Sequence, residues 1–160
     1  MTETEMKTTI TLDPETDRTF HFRITSRHDQ EDTKTKDLTI DALIDGEWER
    51  QVPSFTLPGF RQYLISLVYC QQFYLIANAK ERNIPLKTVQ GEVTIITSQD
   101  WIMKQFQGSF NIELYGPKDT WTKLAKEEDL DYCKQRMKLC PVSKNLPKHT
   151  EKIITVELQD

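Results

Sequence analysis

The stretch YLISLVYCQQFYLIANA at residues 63–79 decides the fold of this chain. Only four of its seventeen residues are polar: Ser66, Gln71, Gln72 and Asn78. The helical pattern runs from about residue 60 to 82, because Pro58 and Gly59 precede it and Pro85 cannot continue a helix. A helix that is apolar around most of its circumference must be covered on several sides. We therefore expect a central helix packed against a sheet and against a further part of the assembly.

A membrane span is the alternative interpretation of this stretch. Its ends are charged, with Arg61 on one side and Lys80, Glu81 and Arg82 on the other. With four polar positions inside it, the continuous apolar part is shorter than the roughly 20 residues that a bilayer requires. We therefore expect a buried helix and no association with a membrane.

Strand patterns dominate the chain before the helix. Alternating apolar and polar residues predict strands at residues 7–12, 18–25, 38–44 and 48–52, all within an N-terminal strand region at residues 5–52. Asp13-Pro14 breaks the first pair, and Asp45-Gly46 is typical of a tight hairpin turn. Residues 27–37 contain no apolar residue, which predicts an exposed loop.

The pattern after the helix predicts three more strands and a second helix. The strands are expected at residues 88–97, 107–115 and 152–158, and the helix at about 126–138. Glu127, Glu128 and Asp129 favour the helix start, because acidic side chains stabilise a helix N-terminus. This order predicts a single α+β domain over residues 1–160, with antiparallel sheets packed on a long central helix and a shorter second helix.

Composition and charge narrow the class of protein. The chain has 160 residues and a net charge of −4, so we expect no nucleic-acid partner, which would require a basic face. The polar N-terminus lacks the apolar core and the basic flank of a signal peptide, which predicts a cytoplasmic protein. Three cysteines in a reducing compartment are more often packing residues, reactive thiols or ligands than structural bridges.

Two of the cysteines lie where a thiol could react. Cys70 is midway along the apolar helix, and Cys140 heads the turn Cys-Pro-Val-Ser-Lys-Asn-Leu, where Pro141 biases it out of helical conformation. Seven helical residues separate Cys133 from Cys140 by roughly 10 Å, too far for a disulfide. A pair within the chain would therefore involve Cys70, with Cys140 as the more mobile partner at the frayed end of the second helix. Cys133 is interpreted as a core residue.

Two motifs resemble the OsmC/Ohr family, the osmotically inducible and organic hydroperoxide resistance proteins. The first runs from Cys70-Gln-Gln-Phe-Tyr-Leu-Ile-Ala-Asn-Ala-Lys-Glu-Arg to Val89-Gln-Gly-Glu-Val and is similar to the family's central helix and following strand. The second runs from Glu128-Asp129-Leu130 to Cys140-Pro-Val-Ser-Lys-Asn-Leu and is similar to its second helix and Cys-Pro-Val-Ser ending. The resemblance covers about residues 60–158.

This resemblance implies an OsmC-like fold in an intertwined homodimer whose long helices pack centrally. It also implies thiol-dependent reduction of hydroperoxides, organic ones preferentially, in oxidative-stress defence. Cys70 would attack the peroxide and become a sulfenic acid, and Cys140 would condense with it to a disulfide. An external dithiol would restore both thiols, and no metal or organic cofactor would be required.

The sequence departs from the family at one position. Active members usually carry a glutamate nine or ten residues before the first cysteine, which cooperates with an N-terminal arginine to hold the thiolate. Arg61 and Phe60 occupy those positions here, and nine residues at 100° each place Arg61 opposite Cys70 on an ideal helix. Arg23 and Arg27 are the candidate thiolate-activating arginines, although both also fit solvent-exposed positions at a strand edge.

Two hypotheses follow for the activity. The first is an enzyme, a cysteine-based hydroperoxide reductase that uses Cys70 and Cys140. The second is an OsmC-like dimer with impaired catalysis that binds a hydrophobic ligand or serves as a scaffold, because the family glutamate is replaced. Other sites are weakly indicated, since the three histidines are scattered and the five glycines do not cluster.

Overall fold

The computed structural model describes residues 11–160. One six-stranded sheet in the order β3-β2-β1-β4-β5-β6 carries four helices. The strands are β1 (Arg18–His28), β2 (Thr35–Ile44), β3 (Glu47–Arg50), β4 (Leu86–Thr97), β5 (Met103–Leu114) and β6 (Glu151–Leu158). The helices are α1 (Gly59–Glu81), α2 (Trp121–Leu124), α3 (Glu127–Met137) and α4 (Pro141–Lys144). The predicted α+β class is confirmed.

The central helix α1 ends close to where the sequence predicts. Asn83 adopts a left-handed conformation with φ 58°, and the N–H of Ile84 donates to the Ala79 carbonyl at 2.9 Å. Asparagine tolerates this conformation, so it closes the last turn of the helix. None of the helices within residues 11–160 combines the length and the apolar character of a membrane span.

The N-terminal strands differ from the prediction in their limits. The predicted strand at residues 7–12 lies mostly outside the described residues. The predicted loop at residues 27–37 is wrong at both ends, because β1 continues to His28 and β2 begins at Thr35. Arg27 and Asp37 pair across these two strands, with a guanidinium nitrogen 2.6 Å from a carboxylate oxygen. Charged side chains can thus extend a hairpin when they lie on its solvent face.

The sheet is not antiparallel throughout, and its strands form one sheet instead of several. The pairs β2–β3, β1–β2, β1–β4 and β4–β5 are antiparallel, whereas β5 and β6 run parallel. The chain passes through α2, α3 and α4 between these two strands. A crossover of this kind returns the chain in the same direction, which a short turn cannot do.

One face of the sheet is covered by α1 and α3. Buried residues alternate along β1 and β4, and the fully buried side chains include Ile24, Leu64, Val68 and Ile95. α1 also contacts α3 and α4 along a second side. A third side remains open, where Tyr69 and Phe73 are 47% and 52% exposed. The apolar helix is therefore covered on two sides by its own chain and not on the third.

Gly91 lies in a tightly packed part of the core. A Cβ at this position would approach the side chains of Ile24 and Phe110 to 2.8 Å. We predict that Gly91→Ala lowers the free energy of unfolding by about 1–3 kcal/mol, because overpacking displaces neighbours. Urea denaturation measures the change, and Gly59→Ala is the control, since nothing lies within 4 Å of the Cβ there. Equal stability of the two variants would contradict the prediction.

Candidate functional site

Cys70 lies at the boundary between the covered and the open sides of α1. Its side chain is partly buried and forms part of the wall of a cavity of about 760 Å³. The cavity lies between α1, β2, the segment after β3 and α4, and its apolar lining includes Leu38, Val52, Leu57, Tyr69 and Phe73. A molecule with an apolar body could therefore reach the Cys70 sulfur.

Cys140 has a fixed position and not a mobile one. α3 ends at Met137, and Cys140 stands immediately before α4 in an extended conformation, with Pro141 as the first helical residue. Its Sγ accepts a hydrogen bond from the Ser143 N–H at 3.3 Å, and its side chain is completely buried. The expectation of a thiol at a frayed helix end is therefore wrong, because Cys140 caps the next helix.

The structure brings Cys70 and Cys140 together. The Cys70 side chain lies close enough to Cys140 and to the Val142 backbone N–H for both to affect its pKa. The pKa of Cys70 is raised to about 11, and burial is the largest cause of the rise. The neighbouring Cys140 also raises this pKa, whereas the Val142 N–H lowers it. Cys70 is therefore a thiol at neutral pH in the isolated chain.

Two further side chains at this site were not identified from the sequence. Gln71 is buried, and its Nε2 donates to the Sγ of Cys140 at 3.2 Å and to the Met137 carbonyl at 2.9 Å. Lys152 on β6 donates to the Ser143 carbonyl at 2.9 Å. Partial burial lowers the pKa of Lys152, while the charge of Cys140 opposes this change. Gln71 could have been identified from the sequence as a polar residue in an apolar helix. No local sequence pattern identifies Lys152.

The two candidate arginines do not approach the sulfurs of their own chain. Arg23 and Arg27 alternate in β1 with buried residues that face the helix, so their side chains lie on the outer face of the sheet. Arg23 stacks over Trp48 at 3.9 Å and lies 3.6 Å from a Glu92 oxygen. Arg27 is ion-paired with Asp37. Neither guanidinium can therefore activate Cys70 within the same chain.

The positions of the missing family glutamate lie away from the sulfurs as well. Phe60 packs edge-on against Phe20 and Trp101, with ring centroids 5.8 and 5.1 Å away. Arg61 lines a separate surface hollow beside Thr19. These residues contribute to packing at the start of α1 and leave the thiol pair without a carboxylate from this position.

Cys133 lies in a different environment from the Cys70 and Cys140 pair. It is completely buried on α3, and burial raises its pKa to about 11, with the charge of Asp129 as the next cause. Within residues 11–160, no group of three histidine, cysteine or acidic side chains is arranged to hold a metal ion.

The raised pKa of Cys70 makes a prediction about its reactivity. In a Cys133→Ala background, we expect the rate of Cys70 alkylation by iodoacetamide to rise about tenfold per pH unit from about pH 7 to 10, because the thiolate fraction rises in this way below the pKa. Cys140→Ala should increase the rate at a given pH, since Cys140 contributes to the raised pKa. Peptide mass spectrometry measures the modified fraction. A rate independent of pH would contradict the prediction.

The fold was compared with those of known proteins. No protein-family model matches this sequence. No curated protein sequence matches it either. A solved structure from Psychrobacter arcticus, assigned to an osmotic stress induced and detoxification response protein, aligns with a TM-score of 0.51 at 14% identity, over 83% of this chain and 87% of the other.

Two other solved structures give lower scores. An OsmC-like hydroperoxide resistance protein from Jannaschia sp. aligns with a TM-score of 0.49 at 14% identity, over 79% of this chain and 85% of the other. An OsmC-like protein from Mycoplasma pneumoniae aligns with a TM-score of 0.46 at 18% identity, over 86% of this chain and 96% of the other. The resemblance stated from the two sequence motifs is thus confirmed at the level of the fold, and the chain has the fold of the OsmC/Ohr proteins.

Proposed function

We propose that this protein is a two-cysteine peroxidase that reduces organic hydroperoxides. The contact between the Cys70 and Cys140 thiols at the wall of an apolar cavity carries this proposal. Cys70 is accessible from the cavity, whereas Cys140 is completely buried behind it. This difference supports the proposal that Cys70 attacks the peroxide and Cys140 acts in the second step.

The first step oxidises Cys70. Its thiolate attacks the distal oxygen of the hydroperoxide, a sulfur–oxygen bond forms, and the oxygen–oxygen bond breaks. The alkoxide leaves and takes up a proton to become an alcohol. Two electrons pass from the sulfur to the peroxide, and Cys70 becomes a sulfenic acid.

The second step joins the two sulfurs. The Cys140 sulfur attacks the sulfenic acid, a disulfide forms, and the oxygen of Cys70 leaves as water. An external dithiol then reduces the disulfide by exchange and becomes oxidised itself. We place this cycle in the cytoplasm, where reducing systems supply dithiols, and the three free cysteines support this location.

The cavity indicates the class of hydroperoxide. Its volume of about 760 Å³ lies in the range of small-molecule sites, and Leu57, Tyr69 and Phe73 present apolar surface to it. Hydrogen peroxide has no apolar body to bury there. We therefore propose that organic hydroperoxides react faster.

The chemistry requires a cation near the Cys70 sulfur. Arg50 lines the same cavity, but its guanidinium is ion-paired with Asp41 at 2.7 Å. No basic side chain within residues 11–160 contributes to the pKa of Cys70, which is about 11. Because the open aromatic side of α1 lies next to Cys70, a second copy of the chain packed there could bring a cation to the thiol. We therefore propose that the active form is a homodimer.

Stoichiometric oxidation tests the proposed activity. One equivalent of an organic hydroperoxide should remove two free thiols per chain and produce a disulfide between Cys70 and Cys140. Thiol counting and peptide mass mapping measure both results. Cys70→Ser should leave the hydroperoxide unreduced, whereas Cys140→Ser should stop at a sulfenic acid that a diketone reagent can trap.

Cys133→Ala is the matched control, since Cys133 is also buried but lies outside the thiol pair. It should lose the same two thiols as the parent protein. Unchanged hydroperoxide turnover in Cys70→Ser would rule out the proposed activity.

The binding of a hydrophobic ligand is a second candidate function. The high pKa of Cys70 and the apolar cavity beside it favour this alternative. In that case all three thiols should survive the hydroperoxide, and native mass spectrometry of the purified protein should detect an added apolar mass. Rapid oxidation of Cys70 would exclude it.

The homodimer can be tested through the open side of α1. We predict that Phe73→Glu shifts the protein to monomers in sedimentation velocity experiments, because a charge in an apolar interface is costly. Leu124→Glu is the control, since Leu124 is 40% exposed on α2, away from this side. A wild-type protein that sediments as a monomer would contradict the dimer proposal.

A further inference from the structure

The sulfur of Cys140 is surrounded by hydrogen-bond donors. The Nε2 of Gln71 lies 3.2 Å from it, and the backbone nitrogen of Ser143 lies 3.3 Å from it. The Cys70 side chain lies next to this sulfur on the α1 side. Two N–H donors directed at one sulfur stabilise it when it acts as a charged nucleophile, because hydrogen bonds to the charged form favour that form.

The orientation of the Gln71 amide is determined by a second partner. Its Nε2 also lies 2.9 Å from the Met137 carbonyl, which can only accept. The nitrogen must therefore face this carbonyl and the sulfur. The Oε1 of Gln71 is buried and has no hydrogen-bond partner within the described residues. The side chain thus leaves one polar atom unpaired while its two N–H groups hold Met137 and Cys140.

Lys152 on β6 is connected to the Cys140 sulfur through Ser143. Its Nζ donates to the Ser143 carbonyl at 2.9 Å, and the N–H of Ser143 donates to the sulfur. Lys152 as a whole is only partly exposed, so its charge is less screened than that of a fully exposed lysine. α1, the loop before α4 and β6 therefore meet at Cys140.

We propose that Gln71 and Lys152 are positioning residues that direct the Cys140 sulfur at Cys70 and stabilise its negative charge as it attacks. This inference rests on the proposed function, because it assigns these residues to the disulfide-forming step of that cycle. In this step the Cys140 thiolate attacks the sulfur of the Cys70 sulfenic acid. The sulfur–sulfur bond forms, the sulfur–oxygen bond breaks, and hydroxide leaves and takes a proton from solvent.

The charged groups around Cys140 are few. Cys70 faces it from α1, Lys152 faces it from β6, and Lys138 at the end of α3 acts on Lys152. When Cys70 is held in a mixed disulfide it has no thiol to titrate and adds no negative charge. The pH dependence of the step therefore reports on Cys140 and on the two lysines.

A pyridyl disulfide tests this step without a peroxide. In a Cys133→Ala background, excess 2,2′-dithiodipyridine should form a mixed disulfide with Cys70 and release one thiopyridone. Cys140 should then attack Cys70, form the internal disulfide and release a second thiopyridone at a rate independent of reagent concentration. Cys140→Ser should stop after the first release. The rate of the second release measures the attack of the Cys140 sulfur on Cys70.

Gln71→Met should change the pH profile of that second rate. Loss of one hydrogen bond to a charged acceptor decreases the Cys140 thiolate fraction about tenfold at pH values below the pKa of the thiol. The thiolate that remains is more basic and therefore about threefold more nucleophilic. The net rate should therefore fall about threefold near neutral pH. At high pH, where the sulfur is fully ionised in both proteins, the variant should be about threefold faster.

Gln72→Met is the matched control. Gln72 is also a buried glutamine with an unpartnered Oε1 among the described residues, but its Nε2 binds Ser26 and the Val89 carbonyl and not the sulfur. This variant should leave the second rate unchanged at every pH. Lys152→Met should move the profile in the same direction as Gln71→Met, and Lys152→Arg should restore it. The Lys152 variants also provide a test if Gln71→Met does not fold.

Three outcomes would overturn the inference. They are an unchanged second rate in Gln71→Met and Lys152→Met, a decrease by the same factor at every pH, and an equal effect of Gln72→Met. A protein that shows the expected pH profiles but does not react with hydroperoxide would instead refute the proposed function. The two failures are thus distinguishable.

Discussion

A helix that is apolar around most of its circumference must be covered by other parts of a protein, and α1 imposes this requirement on the whole structure. The sheet covers one side, and α3 with α4 covers a second. α4 can reach α1 because the crossover between the parallel strands β5 and β6 passes over the same face of the sheet. Cys70 lies at the edge of this covered region, so the sulfur of Cys140 can contact it from behind while the cavity opens in front.

The contact between the sulfurs divides the chemistry between them. Burial and the neighbouring sulfur keep Cys70 protonated, whereas Cys140 accepts N–H groups from Gln71 and Ser143. A peroxide must be attacked by a thiolate, but the thiol that faces the cavity carries the proton. The resting arrangement therefore favours the disulfide-forming step over the first attack. A nearby cation would lower the pKa of Cys70, and none contributes to it in this arrangement within residues 11–160.

The sequence was informative where local patterns are strong and less so where distant residues meet. The apolar run at residues 63–79 and its closing Asn83 predict α1 closely, and the Cys-Pro-Val-Ser turn identifies Cys140. The parallel pairing of β6 could not be predicted, because it depends on how the helices cross the sheet. Lys152 is one polar residue of a strand, and its place beside Ser143 arises only from this pairing. The mobile Cys140 was expected from Pro141, yet the same proline starts α4 and fixes the sulfur.

The replaced family glutamate and the outward-facing arginines both bear on how Cys70 would be activated in the proposed homodimer. Phe60 packs against Phe20 and Trp101, so no carboxylate at this position balances an arginine next to Cys70. Arg23 and Arg27 are already engaged with acidic partners on the outer face of the sheet. In the proposed dimer, a second copy would cover the open aromatic side that Tyr69 and Phe73 form beside Cys70. That copy would have to bring a cation with it, because covering Tyr69 and Phe73 without a cation would desolvate the thiol further and raise its pKa.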